Sequence, residues 1–229
     1  GRKMKSIIEE LTSLIRLVRE IKRSRVSRMI IYGVRMIPIC SIASKFAGVE
    51  RIVCVVNGAG RLFMNTSKKP NLVHSLGIIG VKLGLAISDS TIFQNKDDMA
   101  EFTANKLVNP SRCKLANGSG VNLNKFREAE LPNETAFLML SRITKTKGVM
   151  EYLLAAEYIN RIYPRVSFSL VGPKDDEDFE LDWEYINRIN RLGIVKVLPE
   201  TVDVLSHYQV ASVFIFPSFY REGVPRCSL

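Results

Sequence analysis

Histidine, tryptophan and paired cysteines are scarce in this chain of 229 residues. It holds two histidines, one tryptophan and four cysteines, and no two cysteines form a Cys-x-x-Cys pair. Structural zinc sites are usually built from such pairs together with histidine, so the composition argues against one. Scattered thiols without a disulfide framework fit a reducing compartment, and we therefore expect a cytoplasmic protein.

Long apolar runs and a signal-peptide pattern are also missing. No apolar stretch reaches the roughly 18 residues that a membrane-spanning helix needs. Hydrophobic residues make up 46% of the chain and charged residues 24%, which is ordinary for a globular protein. The length allows one large domain or two small ones.

Negative charge is in short supply. The formal net charge is +10, and residues 1–35 alone contain ten Lys or Arg but only three Glu. Such an excess indicates an anionic partner, which could be a membrane surface, a nucleic acid or a nucleotide. Residues 1–31 contain no Phe, Tyr or Trp. Stacking-type nucleic-acid binders need aromatic side chains, so no nucleic acid is expected.

Residues 4–22 carry apolar side chains at helical spacing on an otherwise basic segment. The pattern predicts an amphipathic helix. One interpretation is a surface helix that covers a sheet, and the other is a helix that lies on an anionic membrane. The two are compatible, because the polar face alone can supply the attraction to lipid.

The remaining chain alternates between strand and helix patterns, which predicts parallel, doubly wound sheets. Strands are predicted at 29–32, 51–56, 90–94, 113–116, 136–140, 166–171, 195–198 and 213–216, and helices at 37–46, 72–85, 96–106, 148–162, 179–192 and 202–211. The polar, Gly-rich stretch near residue 120 divides two such units. We predict a domain at 1–121, a linker at 122–134 and a second domain at 135–229.

Ligands of parallel sheets bind beyond the carboxyl ends of the strands, so we expect the site residues in the loops that follow the strands. In the second half, one strand is followed by a loop with Arg142 and Lys147, and the next by Gly172. Cations, glycines and helix N-termini would thus lie together along the carboxyl edge of the second sheet, which we call the rim. Such a rim favours a diphosphate ligand. In the first half, Asn57-Gly58-Ala59-Gly60 lacks the third glycine of a dinucleotide loop and the Gly-Lys-Ser/Thr ending of a P-loop.

The last thirteen residues, 217–229, follow the final strand. They begin with Pro217-Ser218 and continue to Glu222-Gly223-Val224-Pro225. Gly223 allows a close approach of backbone to a ligand, and Pro225 suits the first turn of a helix. The segment therefore predicts a phosphate-facing turn with one carboxylate.

These ordered segments resemble glycosyltransferase family 4, whose members have the two-domain GT-B fold and use nucleotide-diphosphate sugars. Four segments carry the resemblance: Gly118-Ser119-Gly120-Val121-Asn122, Ser141-Arg142 with Lys147-Gly148, Leu170-Val171-Gly172, and Pro217-Ser218 with Glu222-Gly223-Val224-Pro225. Asn122 stands where Asp is usual, and Ser141 where Gly is usual. The run 55–63 and the run 92–95 are similar to family members that build capsular or O-antigen polysaccharide.

The resemblance implies a retaining glycosyltransferase with two Rossmann-like α/β domains. Arg142 and Lys147 would neutralise the donor diphosphate, and Glu222 would hold hydroxyls of the donor sugar as the catalytic carboxylate. Gly172, Ser218, Gly223 and Val224 would complete the donor site. The acceptor would be a hydroxyl, on a lipid-linked glycan, at the inner face of the membrane.

No metal and no cofactor are expected, since cations and helix N-termini neutralise the donor in this family. The acidic run 175–178 is similar to a metal-binding Asp-x-Asp element, but we expect it to open the following helix instead. The family pattern also implies that both domains are incomplete. Its first strand would precede residue 1, and the second Glu of its paired-Glu element would follow residue 229.

Two other function classes stay open at this point. One is a non-catalytic basic fragment of the same fold that binds an anionic membrane or nucleic acid. The other is a nucleotide-sugar epimerase. Salt-sensitive liposome binding without sugar transfer would favour the first, and product formation without an acceptor would favour the second.

Overall fold

The computed structural model describes residues 7–60, 72–175 and 180–229, which form two compact α/β units. Unit 1 comprises Gly1–Gly120 together with Arg221–Arg226. Unit 2 comprises Val121–Tyr220 together with Cys227–Leu229. The sequence assigned residues 221–226 to the second domain, but their contacts place them in unit 1.

Unit 1 is built on four parallel strands that neighbour one another in chain order. The strands are β1 (Arg28–Tyr32), β2 (Arg51–Val56), β3 (Ser90–Phe93) and β4 (Cys113–Leu115), and the helices are α1 (Ile7–Arg23), α2 (Ile37–Ala47), α3 (Leu72–Ile87) and α4 (Lys96–Ala104). Parallel strands need crossover connections, and the helices between the strands supply them.

The apolar side of α1 packs on the core of unit 1. Leu14, Leu17 and Val18 lie against the buried cluster, and Ile21 belongs to it. Arg19 and other basic residues of the same helix remain exposed. In its described residues, α1 is therefore a surface helix that packs on the core of unit 1.

Unit 2 repeats the strand–helix alternation. Its strands are β5 (Ala136–Leu140), β6 (Ser167–Val171), β7 (Lys196–Leu198) and β8 (Val213–Phe214), and its helices are α5 (Val149–Ile162), α6 (Trp183–Arg191) and α7 (Val204–Gln209). All strand pairs are parallel. The core includes the buried side chains Met139, Leu153, Leu170, Ile186 and Ile189.

The strand order in unit 2 is β7-β6-β5-β8. The chain moves outward from β5 to β7 and then returns to the opposite side of β5 to form β8. This reversal places a topological switch point between β5 and β8. In parallel sheets, a crevice opens at such a point, beyond the carboxyl ends of the two strands.

Most predicted elements agree with the structure, and the start of α6 is the clearest exception. The sequence predicted a helix from residue 179, but α6 begins at Trp183, where the Asp182 carboxylate caps the helix by accepting from the Tyr185 N–H at 2.9 Å. The expectation that the acidic run opens this helix is wrong for Asp175, which lies outside it. Residues 176–178 of that run lie outside the described residues.

The stretch between the two sheets forms neither helix nor strand over residues 116–135. It contains a short turn in which the Phe126 N–H donates to the Asn122 carbonyl at 2.9 Å. In the described part of the chain, every helix is too short or too polar to cross a bilayer.

Candidate functional site

The loops that follow β5 and β6 continue the hydrogen bonding of the sheet past the strand ends. The Ser141 N–H donates to the Val171 carbonyl at 3.1 Å, and the Gly172 N–H donates to the Leu198 carbonyl at 3.2 Å. A Cβ on Gly172 would meet the Ser141 carbonyl oxygen, so only glycine allows this approach. The rim at the carboxyl edge is thus built of closely packed backbone.

A tight turn joins β5 to α5. Lys145–Lys147 form one 3₁₀ turn, and Gly148 follows in the left-handed conformation with φ of +77°. A Cβ on Gly148 would collide with the Pro217 carbonyl oxygen. Glycine is therefore needed here both for its φ angle and for the close approach of the segment that leaves β8.

The Thr146 carbonyl fixes that segment. It accepts hydrogen bonds from the Phe219 N–H at 3.1 Å and the Tyr220 N–H at 3.2 Å, and from the Ser218 hydroxyl at 3.4 Å. Three donors from consecutive residues converge on one oxygen. The turn after β5 and the segment after β8 consequently form one connected structure at the switch point.

Lys147 lies over two aromatic rings of the same rim. Its Nζ is 5.4 Å from the ring centroid of Phe216 and 5.8 Å from that of Tyr220. Cation–π contacts at these distances hold an ammonium group in place, and the group keeps its positive charge. Lys147 is half-buried, so its cation is positioned at the rim rather than swinging freely in solvent.

Arg142 is the second cation of the rim and is more exposed. Its guanidinium lies 3.4 Å from the Asp175 carboxylate, and 57% of its side chain is accessible. Exposed ion pairs of this kind contribute about 0–1 kcal/mol to stability. An anionic ligand can therefore compete with Asp175 for Arg142 at small cost.

The N-terminus of α5 adds a further positive end to this rim. The helix has fourteen residues, and no side chain caps its first turn. The peptide dipoles of a helix place partial positive charge at this end, which favours an anion. Together with the two cations, this helix end makes the rim suited to a phosphate or diphosphate.

Four of the predicted site residues therefore belong to this rim in unit 2: Arg142, Lys147, Gly172 and Ser218. The other three, Glu222, Gly223 and Val224, belong to the Arg221–Arg226 segment of unit 1. Their participation in the same site stays a prediction.

Phe216, Tyr220 and Thr146 were not predicted as site residues from the sequence. Phe216 directly precedes the Pro217-Ser218 pair and Tyr220 follows it by two positions, and these nearby aromatic residues were the available signal. Thr146 acts through its backbone carbonyl, which no residue type reveals. Across residues 7–60, 72–175 and 180–229, histidine, cysteine and carboxylate side chains form no group of three that could hold a metal ion.

No protein-family model matches the chain. Two curated relatives do. The chain is 26% identical over 198 residues to the N,N'-diacetylbacillosaminyl-diphospho-undecaprenol alpha-1,3-N-acetylgalactosaminyltransferase of Campylobacter jejuni subsp. jejuni serotype O:2, a match that covers 80% of this chain and 50% of the relative. It is 25% identical over 236 residues to the UDP-Gal:alpha-D-GlcNAc-diphosphoundecaprenol alpha-1,3-galactosyltransferase of Escherichia coli, covering 96% and 59%. The chain thus spans about half to three-fifths of these relatives.

Solved structures match over almost the whole chain. Anabaena HepE in complex with UDP and glucose superposes with a TM-score of 0.73 at 17% identity, covering 99% of this chain and 61% of that one. The Escherichia coli trehalose-6-phosphate protein bound with UDP-2-fluoro glucose gives 0.68 at 14% identity, covering 94% and 58%. The fold is that of the GT-B class, with two Rossmann-like parallel sheets, as the sequence predicted.

Proposed function

We propose that the protein is a glycosyltransferase of family 4 that moves a sugar from a nucleotide-diphosphate donor to a hydroxyl acceptor in surface-polysaccharide assembly. The observation that carries the proposal is the rim between β5 and β8. It joins Arg142, a positioned Lys147 and an uncapped helix N-terminus at the topological switch point of a parallel sheet. This is the place and the chemistry that a diphosphate requires.

The names of the two relatives support the substrate class. Both are named for the formation of an alpha-1,3 bond to a sugar on diphospho-undecaprenol, and one name specifies UDP-Gal as the donor. We infer a lipid-linked glycan acceptor and a UDP-sugar donor of the galactose series. Because the sugar of such a donor is α-linked to its phosphate, an α product means retention of configuration.

Each residue of the rim has a role that follows from its chemistry. Lys147 and Arg142 would neutralise the donor diphosphate and the negative charge that grows on the leaving nucleotide in the transition state. The Ser218 hydroxyl would add a polar contact, and Gly172 would let the Ser141 backbone pack closely at the rim beside the ligand. In the first unit, Glu222 would accept hydrogen bonds from donor-sugar hydroxyls, and the Gly223 and Val224 amides would contact the sugar and phosphate.

Charge neutralisation by side chains and a helix end leads us to propose a donor site without a metal ion or a cofactor. The leaving group is a nucleoside diphosphate, whose developing charge two cations and the α5 dipole can stabilise. Each such preorganised contact lowers the barrier by several kcal/mol at most, so all three would act together.

We further propose a peripheral location on the cytoplasmic face of a membrane, where a lipid-linked acceptor is anchored. The exposed basic residues Arg16, Arg19, Lys22 and Arg23 on α1 support this proposal. Each Lys or Arg near an anionic bilayer contributes about 1 kcal/mol of attraction. Leu14, Leu17, Val18 and Ile21 of the same helix take no part, because they pack on the core of unit 1.

Titration calorimetry with UDP tests the donor site. We expect the Arg142→Ala/Lys147→Ala variant to lose about a hundredfold or more in affinity, because two charge-assisted contacts disappear. Arg165→Ala/Lys196→Ala is the matched control. These two exposed cations belong to the same unit but lie at the amino ends of β6 and β7. The control removes the same charge from the opposite edge of the sheet.

Equal UDP affinity in both double variants would overturn the assignment of the site. Binding of the intact chain to anionic liposomes, with no binding of UDP or UDP-galactose, would favour the rival interpretation as a non-catalytic basic module. Release of an epimerised nucleotide sugar without an acceptor would favour the epimerase.

A further inference from the structure

Arg221 forms a clasp with two carboxylates of unit 1. Its guanidinium donates to the Asp98 carboxylate at 2.7 Å and also contacts the Glu101 carboxylate. The Asp98 side chain is 4% exposed and that of Arg221 is 27% exposed. The hydrogen bond from Arg221 to Glu101, together with the Asp98 contact, raises the pKa of Arg221. We call these three residues the Arg221 clasp.

Asp98 connects the clasp to two other parts of unit 1. Its second carboxylate oxygen accepts from the Ala59 N–H at 2.9 Å and from the Asn95 side-chain amide at 3.0 Å. The Asn95 side chain in turn caps α4 by accepting from the Asp98 N–H at 2.7 Å. A buried carboxylate is tolerated only when it is well paired, and here Arg221 supplies the countercharge.

Backbone contacts fix the residues that follow Arg221. The Gly60 N–H donates to the Arg221 carbonyl at 3.2 Å, and the Gly223 N–H donates to the Asn57 carbonyl at 3.0 Å. The Asn95 amide donates to the Glu222 carbonyl at 3.2 Å. The Glu222 backbone is thus held on both sides by the loop after β2 and by the start of α4.

The two glycines at this contact are sterically required. A Cβ on Gly58, which has φ of +121°, would approach the Arg221 carbonyl oxygen to 2.7 Å and the Glu222 Cα to 2.8 Å. A Cβ on Gly223 would approach the Asn57 carbonyl carbon to 2.9 Å. The Asn57–Gly60 loop, which lacks the sequence features of a phosphate loop, therefore packs against a segment of this chain.

We propose that Arg221, Asp98 and Glu101 are positioning residues that fix the backbone of Glu222 and Gly223 for contact with the donor sugar. This inference rests on the proposed function, because it gives Glu222 the sugar-binding role. The clasp acts through Glu222 and touches no substrate itself. Arginine suits this role better than lysine, since its rigid fork can serve two carboxylates at once.

Two measurements on the full chain test the clasp. Hydrogen exchange followed by mass spectrometry reports the order of residues 221–226. Calorimetry gives the ratio of the dissociation constant for UDP to that for UDP-galactose, which we call the sugar increment. The variants are Arg221→Met, Arg221→Lys and Glu101→Gln, and the matched control is Arg226→Met. Arg226 is an exposed cation of the same six-residue segment.

We expect Arg221→Met to expose the 221–226 amides to exchange and to reduce the sugar increment about tenfold. UDP affinity should fall less than UDP-galactose affinity, because only the Gly223 and Val224 amides would contact the phosphate. Arg221→Lys should recover part of both effects, and Arg226→Met should change neither. The part of this loss that comes from Glu222 cannot recur once Glu222 is altered. Arg221→Met should therefore reduce the sugar increment less in a Glu222→Gln background than in the wild-type background.

Each other outcome overturns a defined part of the inference. Equal exchange in Arg221→Met and Arg226→Met would overturn the clasp as an ordering device. Faster exchange with an unchanged sugar increment would overturn its role in donor binding. If Arg221→Met does not fold, Glu101→Gln gives the same comparison with Asp98 still paired. A wild-type chain that binds neither ligand would overturn the proposed function and the sugar role, while exchange would still decide whether the clasp orders the segment.

Discussion

Substitution of Gly148 by alanine tests the construction of the rim most sharply. Gly148 lies between the Lys145–Lys147 turn and α5, with φ of +77°, and its missing Cβ leaves space for the Pro217 carbonyl. An alanine there has two separate costs. One is the strained backbone conformation, and the other is the collision with the segment that leaves β8.

Gly193 allows the two costs to be separated. It has φ of +71°, almost the same as Gly148, but a Cβ there would meet nothing within 4 Å. Gly193→Ala should therefore destabilise by the backbone term alone, about 1–2 kcal/mol. Gly148→Ala carries the same term plus about 1–3 kcal/mol for the overpacked contact.

The assay is denaturant unfolding of both variants beside the wild type, with UDP titration of each. We expect Gly148→Ala to be the less stable of the two by about 1–3 kcal/mol and to bind UDP more weakly, because Pro217 and Ser218 must move. Gly193→Ala should keep wild-type UDP affinity. Equal losses of stability in the two variants, or an unchanged UDP affinity in Gly148→Ala, would refute the close approach described at the rim.

Three further predictions concern packing and pH. Gly58→Ala should cost about 2–4 kcal/mol of unfolding free energy and increase exchange at 221–226, because its Cβ would collide with the clasped segment. Burial and the hydrogen bond to Glu157 raise the pKa of Tyr185 from 10.0 to about 12. The stabilisation that comes from this raised pKa is fully present below pH 10 and is lost as the pH rises from 10 to 12. The free energy of unfolding should therefore fall over this pH range, and it should fall less in Tyr185→Phe, which has no phenol to titrate. Tyr152→Phe should cost about 1 kcal/mol in denaturant unfolding, since its buried hydroxyl donates to carbonyls of β5 and β6. If a variant leaves its measurement unchanged, that result would contradict the contact that the variant tests.

Local patterning was enough to predict the sheets. The β-branched run of β2 and the apolar run of β5 have the bounds predicted from the sequence, because buried parallel strands need continuous apolar residues. Polar loops after such strands then had to meet at the carboxyl edge. Arg142, Lys147 and Gly172 could therefore be assigned to one rim without coordinates, whereas Ser218 was added by the family resemblance.

Contacts between residues distant in the chain could not be predicted in this way. Arg221 and Asp98 are 123 positions apart, and no local pattern reveals that they pair. The start of α6 was misplaced because Leu181 is buried just before the helix while Asp182 caps it. The acidic residue Asp175 pairs with Arg142 instead of opening that helix. In each case a tertiary contact overrides the local preference.

A crystal structure of the chain soaked with UDP would show directly where the donor diphosphate binds. We expect the diphosphate at the carboxyl edge of unit 2, in contact with Lys147 and Arg142 and beside the N-terminus of α5. A diphosphate bound at the Asn57–Gly60 loop of unit 1, with Lys147 and Arg142 untouched, would contradict it.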